Sequence, residues 1–170
     1  MNTFEHAYNQ LLLQIKSHAV PNLILLGIRS RGDILAHRIA KDLLTSGTPL
    51  EVGSLDISLY RDDFNLQKVF PKLQSTIIPP TIDGSNVIII DDVIQTGRTI
   101  RAALDAINDF GRPKTIKMAA LVDLGCRELP ISCDFTGTKI DIAPDQKVRV
   151  QLQETQEEDC LLILENNHHA

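Results

Sequence analysis

Two adjacent carboxylates, Asp91 and Asp92, are followed within a few residues by Ile94, Gln95, Thr96, Gly97, Arg98 and Thr99. Like charges about 5 Å apart repel by roughly 3 kcal/mol at an effective dielectric near 20, so such a pair needs a partner. Two partners are chemically sound. The acids can accept hydrogen bonds from sugar hydroxyls, or they can hold a divalent cation. The hydroxyls of Thr96 and Thr99, with backbone N–H groups at the start of a helix, suit a phosphate monoester. A phosphorylated ribose with its metal satisfies all of these groups together. The plainer reading is a solvated strand end followed by a turn, which acids and glycine commonly populate.

A second constellation, Arg29-Ser30-Arg31-Gly32, is basic where the first is acidic. Planar guanidinium groups and close backbone approach at a glycine both serve phosphate oxygens, so this loop suits a diphosphate. An ordinary strand-to-helix turn with solvated charges explains it too, and spacing does not say which arginine makes the contact. Other chemistries are excluded by pattern. The acids do not form the Asp-x-Asp of a haloacid-dehalogenase-like phosphatase, and a phosphorylation receiver lacks the Thr-Gly-x-Thr loop. Neither a Walker loop nor a dinucleotide fingerprint is present.

The elements that must position these groups follow from periodicity. Val87, Ile88, Ile89 and Ile90 form a continuous β-branched run, the pattern of a strand covered on both faces in a parallel sheet, and it ends at the two acids. After the loop, Ile100, Ala103, Leu104 and Ile107 mark one face of a helix that Gly111 and Pro113 stop. Ligands of open α/β sheets gather beyond the carboxyl ends of such strands. Leu23 to Ile28 repeats the layout as a buried strand, followed by a helix with Ile34, Leu35, Ile39, Leu43 and Leu44 inward. Thr3 to Lys16 reads as an amphipathic first helix. Val52 to Tyr60 alternates as a strand that ends in Arg61, Asp62 and Asp63. Thr115 to Val122 reads as another, ending at Asp123, and Val148, Val150 and Leu152 alternate as a further one. A last apolar run covers Leu161 to Leu164. Residues 64–83 lack periodicity and contain Pro71, Pro79 and Pro80, as a lid or a surface hairpin would.

Composition bounds the answer. With 170 residues, 43% of them apolar, the chain has material for one core, and we expect a single domain over 1–165 with a frayed tail at 166–170. No run is long enough for a membrane span and the start lacks a signal-peptide pattern, so the expected location is cytoplasmic. Cys126, Cys133 and Cys160 have no metal-ligand spacing and are expected to be free thiols. The five histidines are scattered and receive no role. A net charge of −5 argues against a strong sequence-independent grip on nucleic acid, though a local basic face is compatible with it.

The run Ile88 to Thr99 resembles the phosphoribosyl diphosphate (PRPP) binding motif of the type I phosphoribosyltransferases. With Leu59-Tyr60-Arg61-Asp62-Asp63 and Arg127-Glu128-Leu129-Pro130-Ile131, the stretch Asp91 to Ala106 is similar to the PyrR family of pyrimidine operon regulators with uracil phosphoribosyltransferase activity. The similarity covers roughly residues 20 to 165. The resemblance implies an α/β fold with a mainly parallel central sheet flanked by helices, a small hood and a flexible loop. It implies transfer of a phosphoribosyl group from PRPP to uracil, giving UMP and diphosphate, with Mg2+ as cofactor. Asp91 and Asp92 would hold the ribose, Ile94 to Thr99 the 5-phosphate, and Arg29 to Gly32 with Arg61 the diphosphate. Asp62 and Asp123 would help with the metal.

By the same resemblance, Asp123 and Arg127 lie in a base or regulatory region, and Asp134 to Lys139 forms the hood over the base. The relatives usually carry Arg and His where Leu124 and Cys126 stand, which bears on RNA binding more than on PRPP. A homodimer or higher homo-oligomer is implied by kinship alone. Two other readings stay open: an RNA-binding regulator that senses UMP or UTP with weak catalysis, and a transferase for another nucleobase.

Overall fold

The computed structural model describes residues 3–61, 75–80 and 82–165. Five strands form one parallel sheet: β1 (Leu23–Ile28), β2 (Leu50–Leu55), β3 (Asn86–Ile94), β4 (Thr115–Asp123) and β5 (Phe135–Lys139), in the order β2-β1-β3-β4-β5. Helices α1 (Thr3–Ser17) and α2 (Arg31–Thr45) cover one face, and α3 (Arg98–Asn108) covers the other. The last strands, β6 (Gln146–Gln151) and β7 (Cys160–Glu165), make a separate antiparallel pair.

Alternation within the strands divides the core. Leu23, Leu25, Ile88, Ile90, Ala119 and Leu121 pack under α1 and α2, while Ile24, Leu26, Val87, Ile89, Met118 and Ala120 pack under α3. Every residue of β1 is buried, which is why these strands read as unbroken apolar runs. Full burial of each such side chain contributes about 1.5–3 kcal/mol before entropy is counted. Because β1 lies between β2 and β3, the chain reverses its direction of travel across the sheet at β1 and β3. The loops after these two strands open toward each other.

The first two helices, β1, α3 and β4 stand where periodicity puts them, except that Leu44, expected inward, is 51% exposed in the last turn of α2 beside the buried Leu43. Three further expectations change. The strand expected over Val52 to Tyr60 stops at Leu55, and Ser58–Tyr60 is a short 3-10 turn. The reason is local: the Asp56 carboxylate accepts the Ser58 N–H at 2.9 Å, and Tyr60 N–H bonds the Ile57 carbonyl at 2.9 Å, so the chain curls. Leu59 consequently points to solvent, 73% exposed. Second, β3 does not end at the acids but runs through Asp91 and Asp92 to Ile94, held by β4 through the pairs Asp91 with Ala120 and Ile94 with Asp123.

Third, the expected hood segment is β5, the edge strand of the central sheet, with Phe135 and Gly137 turned inward. Gly137 permits this docking, since a Cβ there would meet the Ala7 carbonyl oxygen of α1 at 2.5 Å. The Gln14 side chain bonds both backbone groups of Thr136 and so covers part of the open strand edge. The lid or hairpin expected over 64–83 falls largely outside the described residues, as do Asp62, Asp63 and the 166–170 tail. Of that connection, Ile77 pairs with Ser54 in an isolated antiparallel bridge.

Gly32 sets the approach of α2 to β3. A Cβ there would stand 2.4 Å from the Ile90 carbonyl oxygen and 3.0 Å from the Asp91 Cα. Gly32→Ala is expected to destabilise the fold by about 1–3 kcal/mol through overpacking, seen as a lower Tm in thermal circular dichroism. An unchanged Tm would show that the helix can retreat at no cost.

Candidate active site

The site begins where β3 passes through its two acids. Asp91 is only 8% exposed, and its carboxylate accepts the Asp92 backbone N–H at 2.9 Å. Burial, and next the neighbouring Asp92 charge, push the Asp91 carboxyl well above the usual carboxylate range. Burial raises Asp92 also, and the Arg31 guanidinium, 3.7 Å away, pulls it back in part. Arg31 is delivered by the β1–α2 turn, where Gly27 of β1 admits the backbone of Gly32 and Asp33 and Gly32 lets that backbone lie against β3. Acidic strand and basic loop therefore meet across the switch point.

Two adjoining compartments open there. The smaller, about 320 Å3, is lined by Arg29, Ser30 and Arg31 from the β1–α2 turn, Arg61 beyond β2, and Asp91 and Asp92. The larger, about 440 Å3, carries Asp92 and continues over Gln95, Thr96, Arg98 and Thr99, with Lys147, Val148 and Arg149 of β6 also in its wall. Arg31, Arg61, Asp92, Val93 and Thr99 belong to both, so the two form one cleft.

The loop that follows β3 has the chemistry to take a ligand of negative charge. Gly97 occupies the helix-capping position with φ of 90°, a left-handed conformation that favours glycine. Gly97 has no side chain to cap α3, the Thr96 hydroxyl accepts the Arg98 N–H only at a long 3.4 Å, and the first turn carries no acid. The loop is braced from behind by the chain that follows β4. Arg127 donates to the Gln95 carbonyl at 2.8 Å, to the Ile131 carbonyl at 2.9 Å and to the Asp123 carboxylate at 2.7 Å. The N–H groups of Glu128 and Leu129 both bond the Thr96 carbonyl, and Arg98 pairs with Glu128 at 2.7 Å.

Most of the residues singled out from sequence converge. Asp91, Asp92, Arg29, Ser30, Arg31, Arg61, Gln95, Thr96, Arg98 and Thr99 line the cleft. Gly32 and Gly97 shape its backbone, whereas Ile94 is turned into the core under α3. Asp123 and Arg127 stand apart from both compartments, paired with each other; Asp123 lines a neighbouring cavity of about 580 Å3 with Cys133 and Lys139. Asp62 lies outside the described residues. Sequence reading missed Lys147 and Arg149, although their alternation with Val148 and Val150 was a signal that both cations share one face of β6. Among the described residues, no three His, Cys, Asp or Glu side chains gather as a metal cage. The three cysteines are free thiols, and burial pushes that of Cys133 up to about 12.

Comparison with known proteins agrees with this geometry. Residues 2–157 match the phosphoribosyl transferase domain family. The chain is 49% identical over 144 residues to the bifunctional protein PyrR of Chloroflexus aurantiacus, covering 84% of this chain and 79% of that protein. It is 47% identical over 150 residues to the PyrR of a Picosynechococcus species, covering 88% and 84%. The chain belongs to the PyrR family. The fold is shared more widely: a hypoxanthine phosphoribosyltransferase of Trypanosoma cruzi, solved with its substrates, superposes with a TM-score of 0.73 at 18% identity over 100% of this chain and 96% of that one. A hypoxanthine-guanine phosphoribosyltransferase of Bacillus anthracis gives 0.63 at 20% identity over 86% and 82%.

For this PyrR-family chain the buried acid pair has a cost that pH reveals. A carboxyl held above its usual value destabilises the fold wherever it is ionised. That penalty is fully present above the raised folded value and fades as pH falls toward the unfolded one. Asp91→Asn keeps the oxygen that accepts the Asp92 N–H. It is expected to raise the Tm at about pH 8 by roughly 2–4 °C for each kcal/mol relieved, with the gain shrinking toward about pH 4. Calorimetric melts across that range check it, and a variant less stable than wild type at pH 8 would contradict the buried-charge reading.

Proposed function

We propose that this PyrR-family protein transfers the phosphoribosyl group of PRPP to uracil, giving UMP and diphosphate, and that it also takes part in regulating pyrimidine gene expression through RNA. The observation that carries the catalytic part is the cleft in which a basic turn, an acid pair and the glycine-led start of α3 face one another at the β1/β3 switch point. A sugar with a 5-phosphate at one end and a diphosphate at the other has the matching charge order. The regulatory part rests on the relatives, which are named bifunctional.

Displacing diphosphate from the anomeric carbon builds positive charge on the ribose ring and negative charge on the leaving group, so the site must supply electrostatic complementarity. Thr96 and Thr99, with the loop N–H groups, anchor the 5-phosphate. Asp91 and Asp92 accept from the ribose hydroxyls and lie under the developing positive charge. Arg31, Arg61 and the turn at Arg29 and Ser30 take up the charge of the departing diphosphate. Asp123, fixed by Arg127, stands at the end of β4 next to this cleft, on the side proposed for the base. Mg2+ fits a site where the described residues offer two carboxylates and no larger cluster, because this ion keeps few protein ligands and takes the rest from substrate phosphates and water. When bound, it neutralises diphosphate charge.

Incubation with PRPP, Mg2+ and a panel of bases is expected to give UMP from uracil; a product from hypoxanthine or another base, with none from uracil, would overturn the assignment. Asp92→Asn is expected to lower kcat by roughly tenfold or more with the circular dichroism spectrum intact. Unchanged kinetics would remove Asp92 from the ribose.

A further inference from the structure

The larger compartment has a wall that the proposed reaction leaves unused. Lys147 and Arg149 stand two apart on β6, so they share a face, and both line this compartment along with Thr96 and Thr99. Neither side chain has a hydrogen bond or ion pair with another described residue, whereas Arg31 pairs with Asp92, Arg98 with Glu128, and Arg127 with Asp123. In a chain of net charge −5, two cations left without acids beside a phosphate loop are an asymmetry that a bound anion would relieve.

The wall is also held in place. Val150 and Leu152 are buried in the core under α1 and α2. Arg38 of α2 pairs with Glu154, and with Asp159 at 2.7 Å, in the turn between β6 and β7. The helix that starts at Arg31 thus fixes the hairpin that carries Lys147 and Arg149.

We propose that Lys147 and Arg149 are direct ligands of a phosphate group in this compartment, completing from β6 the site that the Thr96–Thr99 loop begins. This rests on the phosphoribosyl reading above. The arginine offers a planar fork and the lysine a point charge, and both suit phosphate oxygens. The phosphate is either the 5-phosphate of a phosphoribosyl compound or a terminal phosphate of a bound nucleotide.

Titration calorimetry of the whole protein with ribose 5-phosphate, UMP and UTP separates these sources. The Lys147→Gln/Arg149→Gln double variant is expected to bind all three about tenfold or more weaker if the 5-phosphate is the ligand, and UTP alone weaker if a terminal phosphate is. The loss should persist at about 0.5 M salt, where charges beyond contact are largely screened; a loss that vanishes there refutes direct contact. Both side chains are exposed, so thermal unfolding of the variant should match wild type. Binding of all three ligands unchanged in the variant overturns this inference alone. A wild-type protein that binds none of them overturns the phosphoribosyl reading and this inference with it.

Discussion

Two ionisable acids sit at the buried end of a strand, and the rest of the cleft is arranged about the cost of keeping them there. Asp91 has almost no access to water, and its neighbour adds a like charge. The fold answers with Arg31, at a distance too long for a good hydrogen bond, and with the more distant charge of Arg61. Both acids nevertheless remain raised, so burial outweighs these cations. Gly27 and Gly32, the parallel register of β1 and β3, and the brace behind Gln95 and Thr96 all hold this arrangement in shape.

The brace links chemistry to the sheet. Arg127 spends its guanidinium on two backbone carbonyls and on Asp123, within the molecule. Leu124 is buried against the core. In this chain the segment after β4 therefore braces the loop after β3.

Much of this was legible from residues. Buried parallel strands advertise themselves as continuous β-branched runs, so β1 and β3 were readable, and the helices α1, α2 and α3 followed from their apolar spacing. The candidate cleft was legible where its residues are contiguous: Asp91 to Thr99 run from the end of β3 into the start of α3, and Arg29 to Gly32 lead from β1 into α2. Three features were not, each for a physical reason. The end of β2 is decided by the Asp56 carboxylate folding back on the backbone, which alternation does not register. The place of β5 depends on a glycine that admits α1, a tertiary contact. Lys147 and Arg149 reach the cleft only because a hairpin far along the chain is pinned to α2 by Arg38.

If the proposed function holds, the acid pair and the loop after it enclose one sugar carrying a terminal phosphate. Calorimetric titration of the wild-type protein with PRPP, in the presence and absence of Mg2+, tests it most directly. Saturable one-site binding is expected, strengthened by Mg2+ and weakened by Asp91→Asn with Asp92→Asn. Absence of binding with the metal supplied, or binding indifferent to both acids, would contradict it.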